Sequence, residues 1–585
     1  MRYLVTGSNG WPNICRMCFQ IITTRIEDFG SNCLFIDGRY QEAEVLYRKL
    51  MTIYQEKAGP QGRSTLRSMA NLASTYRNQG RWNEAEKLEV QVMEASKIVL
   101  GAEHPSTLTS MANLASTYRN QGRWNEAEKL EVQVMETRKT VQGAEHPSTL
   151  TSIANLASTY RNQGRWNEAE KLEVQVMETR KTVQGAEHPD TLTSIANLAS
   201  TYRNQGRWNE AEKLEVQVME TSKTVQGAEH PDTLTSMANL ASTYRNQGRW
   251  NEAEKLEVQV METRKTVQGA EHPSTLTSMA NLASTYWNQG RWNEAEKLDV
   301  QVMETRKTVL GAEHPSTLTS MANLASTYWN QGRWNEAEKL EVQVMETSKI
   351  VLGAEHPSTL TSMANLASTY RNQGRWNEAE KLEVQVIETS KTVLGAKHPD
   401  TLTSMANLAS TYRNQGRWNE AEKLEVQVME TSKTMLGAEH PDTLTSMANL
   451  ASTYRYQGRW NEAEKLDVQV METSKIVQGA EHPDTLTSMA NLASTYRNQG
   501  RWNEAEKLEV QVMETSKTVL GAEHPDTLAR MNNLALTWKS QGKLQNALAL
   551  MKQCSDLRNR VLGPSHPHSK SSSRALSDWM VEYNA

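Results

Sequence analysis

Apolar positions along this chain fall into two alternating helical patterns. Leu108, Met111, Leu114, Ala115 and Tyr118 recur at steps of three and four and mark one face of a first helix. Ser106, just after Pro105, is placed to cap its first turn. Gln121-Gly122 supplies a residue able to take positive φ, the usual way to stop a helix. A second helix is predicted from Trp124, with Trp124, Ala127, Leu130, Val134 and Val141 on one face and Val132, Met135 and position 142 on another. Two apolar faces require neighbours on both sides, so the pair cannot stand alone. Gly143 ends the second helix, Ala144-Glu145-His146-Pro147 turns the chain, and no strand pattern appears between them.

The pattern returns every 42 residues. Twelve of the 13 histidines lie on that step, from His104 to His566, and eleven units between Ser64 and Pro525 differ among themselves in only 13 of 42 columns. A period of this length signals stacked supersecondary units whose stability comes from nearest-neighbour interfaces. The expected fold is all-α, a solenoid of stacked antiparallel helix pairs. Leu114-Ala115, Tyr118, Gly122, Trp124 and Glu126-Ala127 resemble the tetratricopeptide helix-turn-helix signature. The stretch NLASTYRNQGRWNEAEKL together with LGAEHPDTL resembles the longer, 42-residue variety found in kinesin light chains. Near-identical units of this kind are also similar to the sensor arrays at the C-termini of fungal STAND proteins, which couple them to an NB-ARC or NACHT nucleotide-hydrolysing domain. The resemblance implies a right-handed superhelix. Glu131 departs from it, since an aromatic is usual there; Tyr47 in the degenerate first unit keeps the aromatic.

The expected organisation is a non-repeat segment over 1–36, a partial unit over 37–63 with only its second helix recognisable, eleven near-identical units over 64–525, a divergent terminal unit over 526–567, and a capping helix over 568–585 with Leu576, Trp579 and Met580 on the exposed apolar edge. The abrupt start points to a fragment, a truncated duplicate or a displaced start codon.

Composition narrows the chemistry. Sixty-four Lys+Arg against 69 Asp+Glu leave a net charge of −5, without the cationic footprint of a general nucleic-acid binder. Four cysteines, three of them before residue 34, form no disulfide framework, so a cytoplasmic setting is expected. Histidines one helix pair apart stand too far from each other to share a zinc ion. Cys15-Arg16-Met17-Cys18 lacks the companions of a metal or redox site, and Gly7-Ser8-Asn9-Gly10 lacks the rest of a dinucleotide turn. No P-loop occurs. Glu126 and Glu128 sit two apart, on different helical faces, beside cations. No catalytic residue, metal site or cofactor is predicted, and the chain is expected to be non-enzymatic.

Binding is the remaining role. The tetratricopeptide resemblance puts the first helix on the concave side, where two columns recur. The amide column is Asn113, Asn155, Asn197, Asn239, Asn281, Asn323, Asn365, Asn407, Asn449 and Asn491, able to donate to and accept from an extended backbone. The cationic column is Arg119, Arg161, Arg203, Arg245, Arg371, Arg413, Arg455 and Arg497, which points to an acidic peptide or protein guest. Trp287 and Trp329 replace arginine, and Tyr456 replaces the neighbouring asparagine, forming an aromatic hot spot for an apolar side chain. The expected function is a protein-interaction scaffold of the STAND sensor type, the alternative being a cargo adaptor like kinesin light chain. Membrane partners are not expected, and nucleic acid is disfavoured because identical units could read only a monotonous sequence.

Overall fold

In the computed structural model, which describes residues 28–584, helices follow one another through tight turns with no strand among the described residues. One unit shows the plan. Helix A spans Pro105–Asn120 and helix B spans Trp124–Gln142. The same pairing repeats until a last helix B at Leu544–Val561 and a closing helix at Pro567–Asn584. Ahead of the first full pair lie helical residues 28–36 and a helix at Tyr40–Ala58, so the first unit has a helix A that its sequence does not announce.

Helix A begins two residues earlier than the pattern suggests. The cap is His104, with Pro105 at the first helical position. Proline fits there because that N–H has no helical partner anyway. The His104 Nδ1 accepts the Ser106 N–H at 3.1 Å and so fills the place of the usual Ser or Asp oxygen. Gly122, at φ +72°, and Gly143, at φ +97°, end the two helices in the left-handed region that favours glycine.

Packing follows the predicted faces with one exception. Leu108, Met111 and Val134 form a buried cluster, against which Met93 of the preceding helix B packs. That contact is the nearest-neighbour interface. Val141 instead stays 47 % exposed. Helix B has 19 residues against 16 in helix A, so its last turn overruns the partner that would cover it. At the C-terminal end Trp579 is buried against Met531, Met551 and Cys554, whereas Met580 points largely to solvent.

Successive A helices approach one another directly and successive B helices do not, which puts helix A on the inside of the curve. The curve closes on itself. His314 Nε2 lies 2.9 Å from the Asn78 carbonyl oxygen, 236 residues away in sequence and between five and six units back along the array. The same bond recurs from His356 to Asn120, His398 to Asn162, His440 to Asn204, His482 to Asn246, His524 to Asn288 and His566 to Asn330. Trp82 stacks on His356 at 5.3 Å, and five further tryptophans repeat the stack one unit apart. Adjacent turns of the superhelix therefore touch along a continuous seam. With Nδ1 accepting and Nε2 facing a carbonyl, these imidazoles are neutral and carry their proton on Nε2.

Candidate functional site: the inner wall

The seam turns the concave groove into a bore. Five to six A helices spaced roughly 8–10 Å apart make a ring about 14–20 Å across between axes, which leaves about 4–10 Å of free width once a helix radius of about 5 Å is removed from each side. The upper part of that range admits one extended chain.

The amide column belongs to helix A, the inner helix of the curve. Asn113, Asn155, Asn197, Asn239, Asn281, Asn323, Asn365, Asn407, Asn449 and Asn491 are all half-buried. Their side-chain amides make no hydrogen bond to the chain, while the backbone carbonyls of most of them accept from the arginine one unit earlier. Each amide is therefore free to both donate and accept.

The arginine column is arranged differently from the free cationic stripe that its spacing suggests. Every guanidinium in it pairs with an acid twelve residues on, on helix B of its own unit. Arg77, Arg119, Arg161, Arg203, Arg245, Arg371, Arg413, Arg455 and Arg497 meet Glu89, Glu131, Glu173, Glu215, Glu257, Glu383, Glu425, Asp467 and Glu509 at 2.5–3.7 Å. Most of them also donate to the asparagine carbonyl of the next unit, as Arg119 does to Asn155 at 3.1 Å. The ladder is neutralised in place. Glu131, the departure from the tetratricopeptide pattern, is thus explained: it is 2 % exposed and forms the buried half of the pair. Burial pushes its carboxyl up against the pull of Arg119, and burial pulls the Arg119 guanidinium down. Burial raises Glu425 to about 7 even with Arg413 beside it.

The two tryptophan units lack this balance. Trp287 stands where an arginine would meet Asp299, and Trp329 where one would meet Glu341. Both acids are buried, 5 % exposed each. Trp287 and Tyr456 are exposed at 37 % and 58 %, while Trp329 is half-buried with its indole N–H unpaired. The other two aromatic columns are accounted for within the fold: Tyr118 carries the Arg123 guanidinium 4.1 Å above its ring, and Arg123 bridges Glu126 and the preceding unit's Glu86. Glu128 in turn takes Arg165 of the next unit at 2.9 Å, so these carboxylates staple neighbours.

The tetratricopeptide-repeat family matches residues 106–182, 148–224, 190–266, 232–295, 274–350 and 442–518, more than half of the chain. A second tetratricopeptide-repeat description matches 65–106, 359–400, 401–442 and 527–568. The chain belongs to the tetratricopeptide-repeat family. Two solved structures titled as a Podosopora anserina putative kinesin light chain with nearly identical TPR-like repeats, one carrying Q17M, are each 35 % identical to it. Each covers 35 % of this chain and has 96 % of its own length covered, with TM-scores of 0.31 and 0.30. BtubC (BKLC) from P. vanneervenii is 15 % identical, covering 39 % of this chain and 92 % of its own, with a TM-score of 0.34. No curated protein matches.

The described part of this tetratricopeptide array contains no cluster of side chains able to hold a metal ion and no helix long and apolar enough to cross a membrane. The Cys15–Cys18 pair and the Gly7–Gly10 turn lie outside the described residues. The seam had no anticipating signal in the sequence: its histidines show their periodicity, but nothing in a local pattern points to a partner 236 residues away.

Proposed function

We propose that this tetratricopeptide array, a protein-interaction scaffold, holds an extended segment of a protein partner in its bore. The observation that carries the reading is the asparagine column, an unbroken series of unpaired amides repeated on the inner wall and suited to main-chain amides of any sequence. An acidic guest would have to compete with Glu131 and its equivalents for guanidinium groups already paired. A neutral guest meets no such competition, so main-chain recognition is the better supported mode. Affinity would accumulate over several units engaged at once.

The test uses two fluorescein-labelled dodecapeptides, one of Gly, Ser and Gln and one with every Gln replaced by Glu, titrated against the full chain by anisotropy. Both are expected to bind within a few-fold of each other, and Asn239→Ala, Asn281→Ala, Asn323→Ala and Asn365→Ala together are expected to weaken both by roughly tenfold or more. Unchanged binding by that variant removes the amide column from the mechanism. A strong preference for the Glu peptide restores the acidic guest.

The biological setting we infer is the sensor region of a STAND-type protein in the cytosol, on the near-identity of the units; a kinesin-light-chain-like adaptor is the alternative. Sequencing the transcript upstream of Met1 separates them, a nucleotide-binding P-loop favouring the sensor and heptads favouring the adaptor.

A further inference from the structure

The array contains its own template for what belongs beside Trp287 and Trp329. In nine units an arginine guanidinium meets a buried helix-B acid and, in most of them, the serine hydroxyl three residues earlier and the asparagine carbonyl of the next unit. In the Trp287 unit the corresponding groups are Asp299, Ser284 and Asn323, and all three line an open cavity of about 210 Å³ beside the indole. The cation is missing and its acceptors remain. Asp299 Oδ2 takes the Thr327 hydroxyl at 2.8 Å but meets no positive charge. One unit on, Glu341 likewise meets no arginine or lysine, unlike its nine arginine-paired equivalents, and the buried Trp329 Nε1 has no hydrogen-bond partner. Burial raises Asp299 to about 6 and Glu341 to about 7, the latter no further than the arginine-paired Glu425, so it is the absence of a cation in the geometry that sets these two units apart.

Elsewhere the array abandons the arginine and the acid together. The first unit has Phe35 with Tyr47, and the terminal unit has Lys539 with Met551, the lysine turning to Glu582. Only the two tryptophan units keep a buried acid after losing its cation. An apolar guest, the class suggested by indoles alone, would leave those carboxylates buried and unpaired.

We infer that the Trp287 and Trp329 units form a paired receptor for arginine side chains of the segment in the bore, each guanidinium entering from the lumen to meet the carboxylate of Asp299 or Glu341 and to lie against an indole. Arginine suits the site because its planar fork reaches several acceptors at once and its face stacks on tryptophan. The spacing is also set. Adjacent A helices stand roughly 8–10 Å apart, and a polyproline-II segment brings residues i and i+3 to the same face at about 9.3 Å. Two arginines three positions apart on one segment therefore come within side-chain reach of both units. This rests on the reading of the bore as a channel for an extended segment and fixes where along the array, and with what side chains, such a segment is held.

The probe is a fluorescein-labelled decapeptide of Pro, Ser and Gly carrying two arginines three positions apart, compared with the same peptide bearing citrulline, the neutral isostere, on the full chain. The arginine peptide is expected to bind roughly tenfold tighter. Trp287→Arg with Trp329→Arg, which restores the side chain of the neighbouring units and so preserves the fold, is expected to abolish that difference. Asp299→Asn with Glu341→Gln, which keeps both indoles, is expected to abolish it too. Equal binding of the two peptides overturns the arginine receptor while leaving the bore reading intact. A preference that survives in either variant overturns it as well. Binding by neither peptide also overturns it, and the Gly-Ser-Gln peptide then decides whether the bore reading falls with it.

Discussion

At the scale of single residues, Arg119 and Glu131, like their equivalents in the other units, form a coupled buried pair. Removing one partner of a buried pair strands the other, at a cost of about 3–5 kcal/mol, whereas replacing both with packed apolar groups is often neutral. Arg119→Leu is expected to lower the urea midpoint of the array by a stability loss of about 3 kcal/mol. Arg119→Phe combined with Glu131→Tyr, the solution already present at Phe35 and Tyr47, is expected to return most of it; equal losses in the single and double variants contradict the coupling. The tryptophan units add a pH dependence. Asp299 and Glu341 have folded pKa values above their unfolded ones, so the folded state holds extra protons and loses stability as pH rises through about 6 to 7. Unfolding measured from pH 5 to 8 should show that loss in the wild type and less of it in Trp287→Arg/Trp329→Arg. Glu131 was visible in the sequence as a departure from the aromatic norm, and Arg119 was visible as a column. Their pairing was not, because it depends on side-chain directions across two helices rather than on spacing within one.

Among the elements, helices A and B were legible from their apolar steps, and the glycines at the turns from their need for positive φ. The helix-A start was displaced because a histidine took the capping role expected of Ser106, and the Val141 end of helix B escaped burial because helix B is the longer of the two. The A–B turn does more than reverse the chain. A Cβ on Gly122 would come within 2.4 Å of the Pro357 ring in the next superhelical turn, whereas Gly458, at a similar φ of +76°, has nothing near it. Gly122→Ala and Gly458→Ala therefore share a backbone strain of about 1 kcal/mol, and only the first pushes the seam apart. Circular dichroism melts of the two variants are expected to separate, with Gly122→Ala the lower; coincident melts would mean that the seam adds nothing to stability.

For the whole molecule, the seam decides whether the inner wall is an open trough or a bore. It was illegible because every unit looks alike, so no local feature of the chain says which unit rests on which. Protonation of the seam imidazoles leaves the Nε2–H seam bond in place, but it breaks the Nδ1 cap and puts a charge on a buried ring between the turns. Burial lowers the pKa of His314, His356 and His566, so the open form takes up protons first as pH falls, and the seam contribution, complete above about 6.5, is lost below it. Small-angle scattering is expected to show a longer particle at pH 5 than at pH 7.5, and an unchanged radius of gyration contradicts that titration. The most direct test of the closed bore is a distance. Spin labels carried on non-natural side chains at the exposed Glu84 and Glu355, beside the stacked Trp82 and His356, should give at pH 7.5 a narrow dipolar distance of roughly 15–30 Å, at most about three helix diameters. A distance beyond about 40 Å, more than three helix diameters, would show turns standing apart and a groove open along its length.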